Sequence, residues 1–127
     1  MTEQVSVHTD NAPAAVGPYS QGVKTGNMLF VSGQMPVVPA TGEVVEGDVS
    51  ERARQCMKNV LAILEEAGLK ADNIIKTTIF LTDMNDFGAV NEVYASFFGN
   101  KYPARSCVEV SRLPKGVDVE IEAIAVF

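Results

Sequence analysis

The sequence is short of the residues on which several common kinds of active site depend. Its 127 residues include one histidine, His8, and two cysteines, Cys56 and Cys107, without CxxC spacing. The lone histidine lies near the N-terminus, which argues against a Ser-His-Asp triad, and these three residues do not supply the ligands of a zinc site. No GxGxxG or GxxxxGK[ST] motif occurs, so nucleotide-binding fingerprints are absent. We therefore expect neither a metal nor another cofactor.

Basic charge and long apolar runs are also scarce. Ten Lys and Arg residues against 16 Asp and Glu give a formal net charge of −6 at pH 7, and such a surface repels phosphate backbones. The apolar runs are only a few residues long, whereas a membrane span needs about 20. The first twenty residues contain no Lys or Arg, unlike a signal peptide, and two separated cysteines fit free thiols in a reducing compartment. These absences predict a soluble cytoplasmic protein with no nucleic-acid or membrane partner, folded as a single domain over residues 1–127.

The pattern that is present predicts two helices among five strands. One helix is expected to begin at Asp48, its N-cap, and to stop at Gly68; a second is expected from about residues 83–85 to Gly99. Strands are predicted at 22–25, 28–32, 74–81, 105–110 and 119–127. This order predicts an α+β fold in which helices pack on one face of a mixed sheet.

Two of the predicted strands are apolar on both faces, which bears on assembly. In strand 74–81 we expect Ile75, Ile79 and Leu81 on one side, and Ile74 and Phe80 on the other. The last strand repeats this pattern. Two helices of about four turns each cover only one face, so the sheet is predicted to meet a second copy of the chain. The alternative is that the long N-terminal loop covers the second face.

Arg105 is the leading candidate for ligand binding. It begins a predicted strand directly after Pro103 and Ala104, so its side chain leaves a structured element. The planar guanidinium suits a carboxylate, and Cys107 should share its face by strand alternation. The structural alternative is that Arg105 pairs with a glutamate of the same sheet.

Two further pairs of candidate residues lie on other strands. Glu120 and Glu122 should share one face of the last strand, where they are either a catalytic base or the solvated end of that strand. Ser32 and Gly33 end a predicted strand, where they present a hydroxyl and backbone N–H groups to a ligand or form only a turn.

Five segments taken together resemble a known family. They are 11–22 (NAPAAVGPYSQG), 32–34 (SGQ), 91–94 (NEVY), 103–110 (PARSCVEV) and 119–123 (VEIEA). The combination resembles the RidA (YjgF-like) reactive-intermediate deaminases from about residue 10 to residue 127. The GPYSQ and PARSCVEV segments are highly specific together, although each alone is only suggestive.

The resemblance implies a fold, an assembly and an activity. The fold would be chorismate-mutase-like, and the protein a homotrimer with pockets between subunits. The activity would be that of a 2-iminobutanoate/2-iminopropanoate deaminase. It would hydrolyse the enamines and imines that pyridoxal-phosphate-dependent (PLP-dependent) serine and threonine dehydratases release, giving 2-oxo acids and ammonia without a cofactor.

The resemblance also implies roles for individual residues. Arg105 would clamp the substrate carboxylate, and Glu120 would position or activate water. Cys107 and Gly33 would offer backbone contacts to the substrate. The remaining pocket residues would be Tyr19, Ser32 and Asn91 in the lining and Pro114 at the border.

Other classes of function compete with this interpretation. The same cleft would also suit a non-catalytic, regulatory 2-oxo acid-binding protein, with Arg105 as its clamp. A holdase-type chaperone would instead depend on exposed apolar surface. Ribonuclease activity is disfavoured by the acidic composition and by the lack of a histidine pair.

Overall fold

The strands of the protein form a single mixed sheet, covered by helices on one side. The computed structural model describes residues 3–127. Its elements, in chain order, are the strands β1 (Gln4–Val7), β2 (Gly22–Thr25) and β3 (Met28–Gln34), the helix α1 (Val49–Glu66), β4 (Ile74–Leu81), the helix α2 (Phe87–Ala95), β5 (Ala104–Glu109) and β6 (Val119–Val126). The sheet order is β1-β2-β3-β6-β4-β5, and β4 and β5 are the parallel pair. The predicted α+β fold with a mixed sheet is confirmed.

Helix α1 forms as its sequence predicts. The Asp48 carboxylate accepts a hydrogen bond from the backbone N–H of Glu51 at 3.0 Å, and Gly68 follows the helix with a φ of +84°. The buried stripe of α1 packs on the sheet and includes Met57, Val60 and Leu64. Neither helix in residues 3–127 is long and apolar enough to cross a membrane.

Helix α2 is shorter than predicted. It has 9 residues, about two and a half turns, and ends at Ala95 rather than near Gly99. Beyond it the backbone bonds tighten to an i→i+3 pattern, with the N–H of Phe98 donating to the carbonyl of Ala95 at 3.2 Å. The Phe98 ring is buried although it lies beyond the helix, and its centroid is 5.0 Å from that of the Tyr94 ring.

The sheet is apolar on both faces, as predicted, and the helices cover one of them. On the other face Phe30 and Val108 each remain 41% exposed, so the N-terminal loop leaves this part of the face uncovered. The sides predicted for Ile74 and Ile75 are wrong. The pairing of β4 with β6 slips between Ile74 and Lys76, which leaves Ile74 buried on the helix side and Ile75 41% exposed.

Strand β1 was not expected from the sequence. Its four residues, QVSV, are mostly exposed and pair antiparallel with β2 at one edge of the sheet. A short edge strand carries little hydrophobic periodicity, so pairing with a neighbour decides its structure.

Candidate active site

The predicted site residues divide between the two faces of the sheet. Arg105 and Cys107 share one face of β5, as predicted, because they pair with Thr77 and Ile79, which lie buried beneath the helices. Glu120 alternates with the buried Val119 and Ile121 on β6 and therefore lies on the uncovered face, together with Glu122. Within one chain, Arg105 and Glu120 do not meet.

The Arg105 half-site consists of Arg105, Asn91, Phe87 and Tyr94. The guanidinium lies 5.3 Å from the ring centroids of both Phe87 and Tyr94, and its Nη1 donates to Asn91 Oδ1 at 2.6 Å. The Tyr94 hydroxyl shares a 2.6 Å hydrogen bond with the hydroxyl of Thr77, which holds the ring in place. The alternative in which Arg105 pairs with a glutamate of the sheet is not observed, since Arg105 forms no salt bridge within residues 3–127.

From their apolar spacing alone, Phe87 and Tyr94 are predicted only to lie in the core. The signal for a second role is their spacing: Phe87, Asn91 and Tyr94 follow one another by four and three residues, which places them on one face of α2. That this face meets β5 follows from the parallel β4–α2–β5 crossover.

The two thiols are not poised as nucleophiles. Burial raises the pKa of the Cys107 thiol, and Arg105 only partly offsets that shift. Burial raises the pKa of Cys56 well above its ordinary value, with a smaller contribution from the charge of Glu120. Both thiols are therefore protonated at neutral pH, which leaves backbone contact as the role predicted for Cys107.

The Glu120 half-site is a cleft on the uncovered face. Its volume is about 620 Å³. The predicted residues that line it are Tyr19, Ser32, Gly33, Pro114 and Glu120. The Ser32 hydroxyl donates to the backbone carbonyl of Ser20 at 2.6 Å, which ties β3 to the segment carrying Tyr19.

A β-bulge brings Gly33 against the Glu120 carboxyl group. Between Val31 and Gln34, β3 advances by three residues while β6 advances by two, from Ala123 to Ile121. A Cβ on Gly33 would lie 2.8 Å from Cδ of Glu120, closer than carbon atoms tolerate. Any side chain at position 33 would therefore displace the carboxyl group, the far end of the Glu120 side chain, from its place against the bulge.

The environment of Glu120 suits proton transfer. Burial raises the pKa of its carboxyl group, and the neighbouring charge of Glu122 raises it further. A carboxyl group with a raised pKa exchanges protons closer to neutral pH, as a general acid–base requires.

Three residues of this cleft were not predicted from the sequence: Val16, Met35 and Lys115. Lys115 has a φ of +62° in the turn Pro114–Gly116, the one left-handed non-glycine residue among residues 3–127. The Pro-Lys-Gly sequence indicates a turn, but the meeting of that turn with β3 depends on tertiary structure. No group of three metal-ligating side chains occurs in the same described range.

Comparison with known proteins identifies the family. The family model described as Endoribonuclease L-PSP matches residues 9–127. The chain is 59% identical over 124 residues to the 2-iminobutanoate/2-iminopropanoate deaminase of Escherichia coli strain K12. The match covers 95% of this chain and 96% of that protein. The chain belongs to the RidA (YjgF-like) family.

Solved RidA-family structures have the same fold. The crystal structure of the YjgF gene product from E. coli matches with a TM-score of 0.92 and 58% identity, covering 96% of this chain and 98% of that chain. E. coli TdcF, crystallised with bound serine, matches with a TM-score of 0.93 and 54% identity over 97% of this chain and 98% of that one. The resemblance inferred from the five sequence segments is therefore confirmed. The roles of the individual site residues remain predictions.

Proposed function

We propose that this protein is a 2-iminobutanoate/2-iminopropanoate deaminase, which hydrolyses 2-imino acids to 2-oxo acids and ammonia. The observation that carries the proposal is the complementarity of the two half-sites. Arg105 is a guanidinium with no carboxylate partner, and Glu120 is a partly buried carboxyl group with no salt bridge, among residues 3–127. The substrate has a carboxylate that would bind Arg105 and a nitrogen that would exchange a proton with Glu120. The water that attacks the substrate would also bind Glu120. The similarity to the E. coli deaminase supports the same reaction.

The proposed active site is completed by assembly as a homotrimer. Arg105 lies on β5, an edge strand, where its side chain can approach the uncovered face of a neighbouring copy. We infer that Arg105, Asn91 and Cys107 of one subunit meet the Glu120 cleft of the next, which would also cover the exposed Phe30 and Val108.

The residues of the two halves would divide the chemistry. Arg105 would hold the substrate carboxylate through charge-assisted hydrogen bonds, each worth about 1.5–3 kcal/mol. An enamine takes a proton from solvent at carbon to become an iminium ion, and a neutral imine takes one at nitrogen. The Glu120 carboxylate would then take a proton from water as the water oxygen bonds to C2.

The resulting carbinolamine then loses ammonia. Glu120 would return its proton to the nitrogen, the C–N bond would break, and the hydroxyl oxygen would release its proton to solvent as the carbonyl forms, which balances the proton taken up at the start. One imine and one water yield one 2-oxo acid and one ammonia. A positioned general acid–base typically accelerates such steps by about 10²–10⁴-fold.

The imine would come from PLP-dependent serine or threonine dehydratases, which release such intermediates. We place the protein with them in the cytoplasm, where its two free thiols would stay reduced. The description of the family model names an endoribonuclease, but a net charge of −6 does not favour an RNA partner.

The proposal is tested by coupling the purified protein to a threonine dehydratase and following 2-oxobutanoate while semicarbazide competes for the imine. The wild type should accelerate formation of 2-oxobutanoate, and Arg105→Ala should not. Arg54→Ala, which removes an exposed arginine of α1, is the matched control and should behave as the wild type. No acceleration by the wild type, together with binding of 2-oxobutanoate, would instead identify a 2-oxo acid-binding regulatory protein. A holdase would show neither and would suppress aggregation with Arg105→Ala as well.

A further inference from the structure

A buried amide interrupts the apolar stripe of α1. Asn59 is 1% exposed and lies among fully buried neighbours such as Met57 and Val60. Its Nδ2 donates to the carbonyls of Met35 at 3.0 Å and Val37 at 2.9 Å, and its Oδ1 accepts from the Gln55 amide at 2.9 Å. Burying an amide costs free energy unless its hydrogen bonds are made. The hydrogen bonds of Asn59 to these two carbonyls therefore explain why an amide is tolerated at this position.

The two carbonyls belong to the segment that follows the β3 bulge. The chain turns away from the sheet at this point, and the N–H of Val37 donates to the carbonyl of Met35 at 2.8 Å. Backbone hydrogen bonds join this segment to residues 43–45: the N–H of Val45 donates to the carbonyl of Pro36 at 2.9 Å, and the N–H of Val38 donates to the carbonyl of Glu43 at 2.9 Å. The hydrogen bonds from Asn59 add a restraint from the helix layer, on the other side of the sheet from the cleft.

The same segment forms the wall of the cleft at Glu120. Gly33, in the bulge, lies in direct contact with the Glu120 carboxyl group, and Met35 lines the cleft two residues later. A shift of the turn at Met35 would be passed to Gly33 through one residue, Gln34.

We propose that Asn59 is a positioning residue for Glu120, acting through the Met35 and Val37 carbonyls to hold the bulged wall against the Glu120 carboxyl group. Asn59 itself touches neither the cleft nor the carboxyl group. The kinetic readouts of this proposal rest on the proposed deaminase activity, whereas its titration readout does not.

The wall controls how much water reaches Glu120. The titratable groups that line the cleft with this carboxyl group are Glu122 from the same strand, Lys115 from the Pro114–Gly116 turn and Tyr19 from the N-terminal loop. Burial is the larger cause of the raised pKa of Glu120, ahead of Glu122. A wall that loosens would admit water and lower this pKa towards its ordinary value.

The test replaces Asn59 with leucine, which fits an apolar stripe but donates no hydrogen bond. For Asn59→Leu we expect kcat to fall on the order of tenfold or more, because catalytic groups tolerate little displacement. KM should change less than about twofold, since Arg105 binds the substrate carboxylate. The acid limb of the pH profile of kcat should move to lower pH. Asn59→Ser, which keeps one donor, should lie between Asn59→Leu and the wild type, and it replaces Asn59→Leu if that variant does not fold.

The matched control is Leu64→Ala, which removes buried apolar contacts further along α1. It should lower Tm while leaving the pH profile of the wild type in place. If Asn59→Leu lowers Tm but keeps the wild-type kcat and pH profile, Asn59 has a structural role only and the proposal is wrong.

Failure of the proposed function is distinguishable from failure of this inference. An inactive wild type would reject the deaminase assignment alone. A carbon NMR titration of the Glu120 carboxyl group, assigned with Glu120→Gln, then decides the role of Asn59. A lower pKa in Asn59→Leu than in the wild type supports the proposal, and an equal pKa overturns it.

Discussion

The half-site of Arg105 and the half-site of Glu120 are built by different means. Around Arg105, side chains do the positioning: two aromatic rings, one amide and a buried hydroxyl pair hold the guanidinium on the helix-covered face. Around Glu120, the backbone positions the carboxyl group: a bulge, a glycine and a turn shape the cleft on the uncovered face.

This difference determines how each half responds to mutation. A half built from several side chains loses one interaction at a time, so its effects should be graded. In the half built from backbone, even one added methyl group at Gly33 must displace the Glu120 carboxyl group, because the two lie in contact. We expect Arg105 and Glu120 themselves to be exceptions to this contrast, because the role proposed for each depends on the charge of its own side chain.

The largest effect on activity should come from removing the positive charge of Arg105. Arg105→Ala should lower kcat/KM on the order of 10²–10⁴-fold, because two charge-assisted hydrogen bonds to the substrate carboxylate are lost. Its Tm should stay close to that of the wild type, since Arg105 is exposed. The coupled dehydratase assay and thermal melts measure both, and full activity would contradict the role of Arg105 as clamp.

Mixing variants tests whether the two halves come from different subunits. Arg105→Ala and Glu120→Gln should each be inactive alone, and their co-expressed mixture should recover about a quarter of wild-type activity. Random assortment leaves about a quarter of the clefts between subunits with both native residues. No recovery, with mixed trimers shown by mass spectrometry, would place both residues of each site in one subunit.

In the Glu120 half-site, the addition of one carbon atom at Gly33 should be enough to lower activity. Gly33→Ala should lower kcat by about ten- to a hundredfold, because the new Cβ must displace the Glu120 carboxyl group. KM should change little. Gly88→Ala, at a glycine with open space around it, is the control and should keep the wild-type kcat.

In the Arg105 half-site, the loss of one supporting side chain should weaken substrate binding only slightly. Phe87→Leu removes one of the two rings against the guanidinium and should raise KM about two- to fivefold, the usual range of an exposed cation–π contact. The second ring and Asn91 still hold Arg105, so kcat should stay near the wild-type value. A loss as large as that of Arg105→Ala would show that the ring acts on the substrate itself.

The smallest expected effect is on stability, because deprotonation of the partly buried Glu120 destabilises the folded protein. Because its pKa is raised in the folded state, the native protein binds this proton more tightly than the unfolded chain does. Stability is therefore lost as pH rises through the window between the two pKa values. Glu120→Gln should raise Tm at pH 7 by about 1–4 °C, and the gain should vanish below the ordinary pKa of glutamate. Glu43→Gln, at an exposed glutamate outside the helices, is the control and should show no such gain.

Alternation along each strand predicted correctly which candidates share a face. Arg105 lies with Cys107 and Glu120 lies with Glu122, because a regular strand turns successive side chains to opposite sides. The same rule failed at Ile74 and Ile75, where a bulge inserts a residue that periodicity does not reveal. The length of α2 was overestimated because Phe97 and Phe98 continue the apolar pattern after the helix has ended.

The sequence by itself determined both helices, five of the six strands and the candidate residues that each carries, but not the edge strand β1 or the end of α2. Hydrophobic periodicity, helix caps and strand alternation are local properties, and the residues that express them are neighbours in the chain. Only the tertiary structure decided that Arg105 rests on Phe87, Asn91 and Tyr94, that Gly33 makes room for Glu120, and that the two halves lie on opposite faces. These facts depend on strand order and on bulges, and both are decided when distant segments compete to pair and pack.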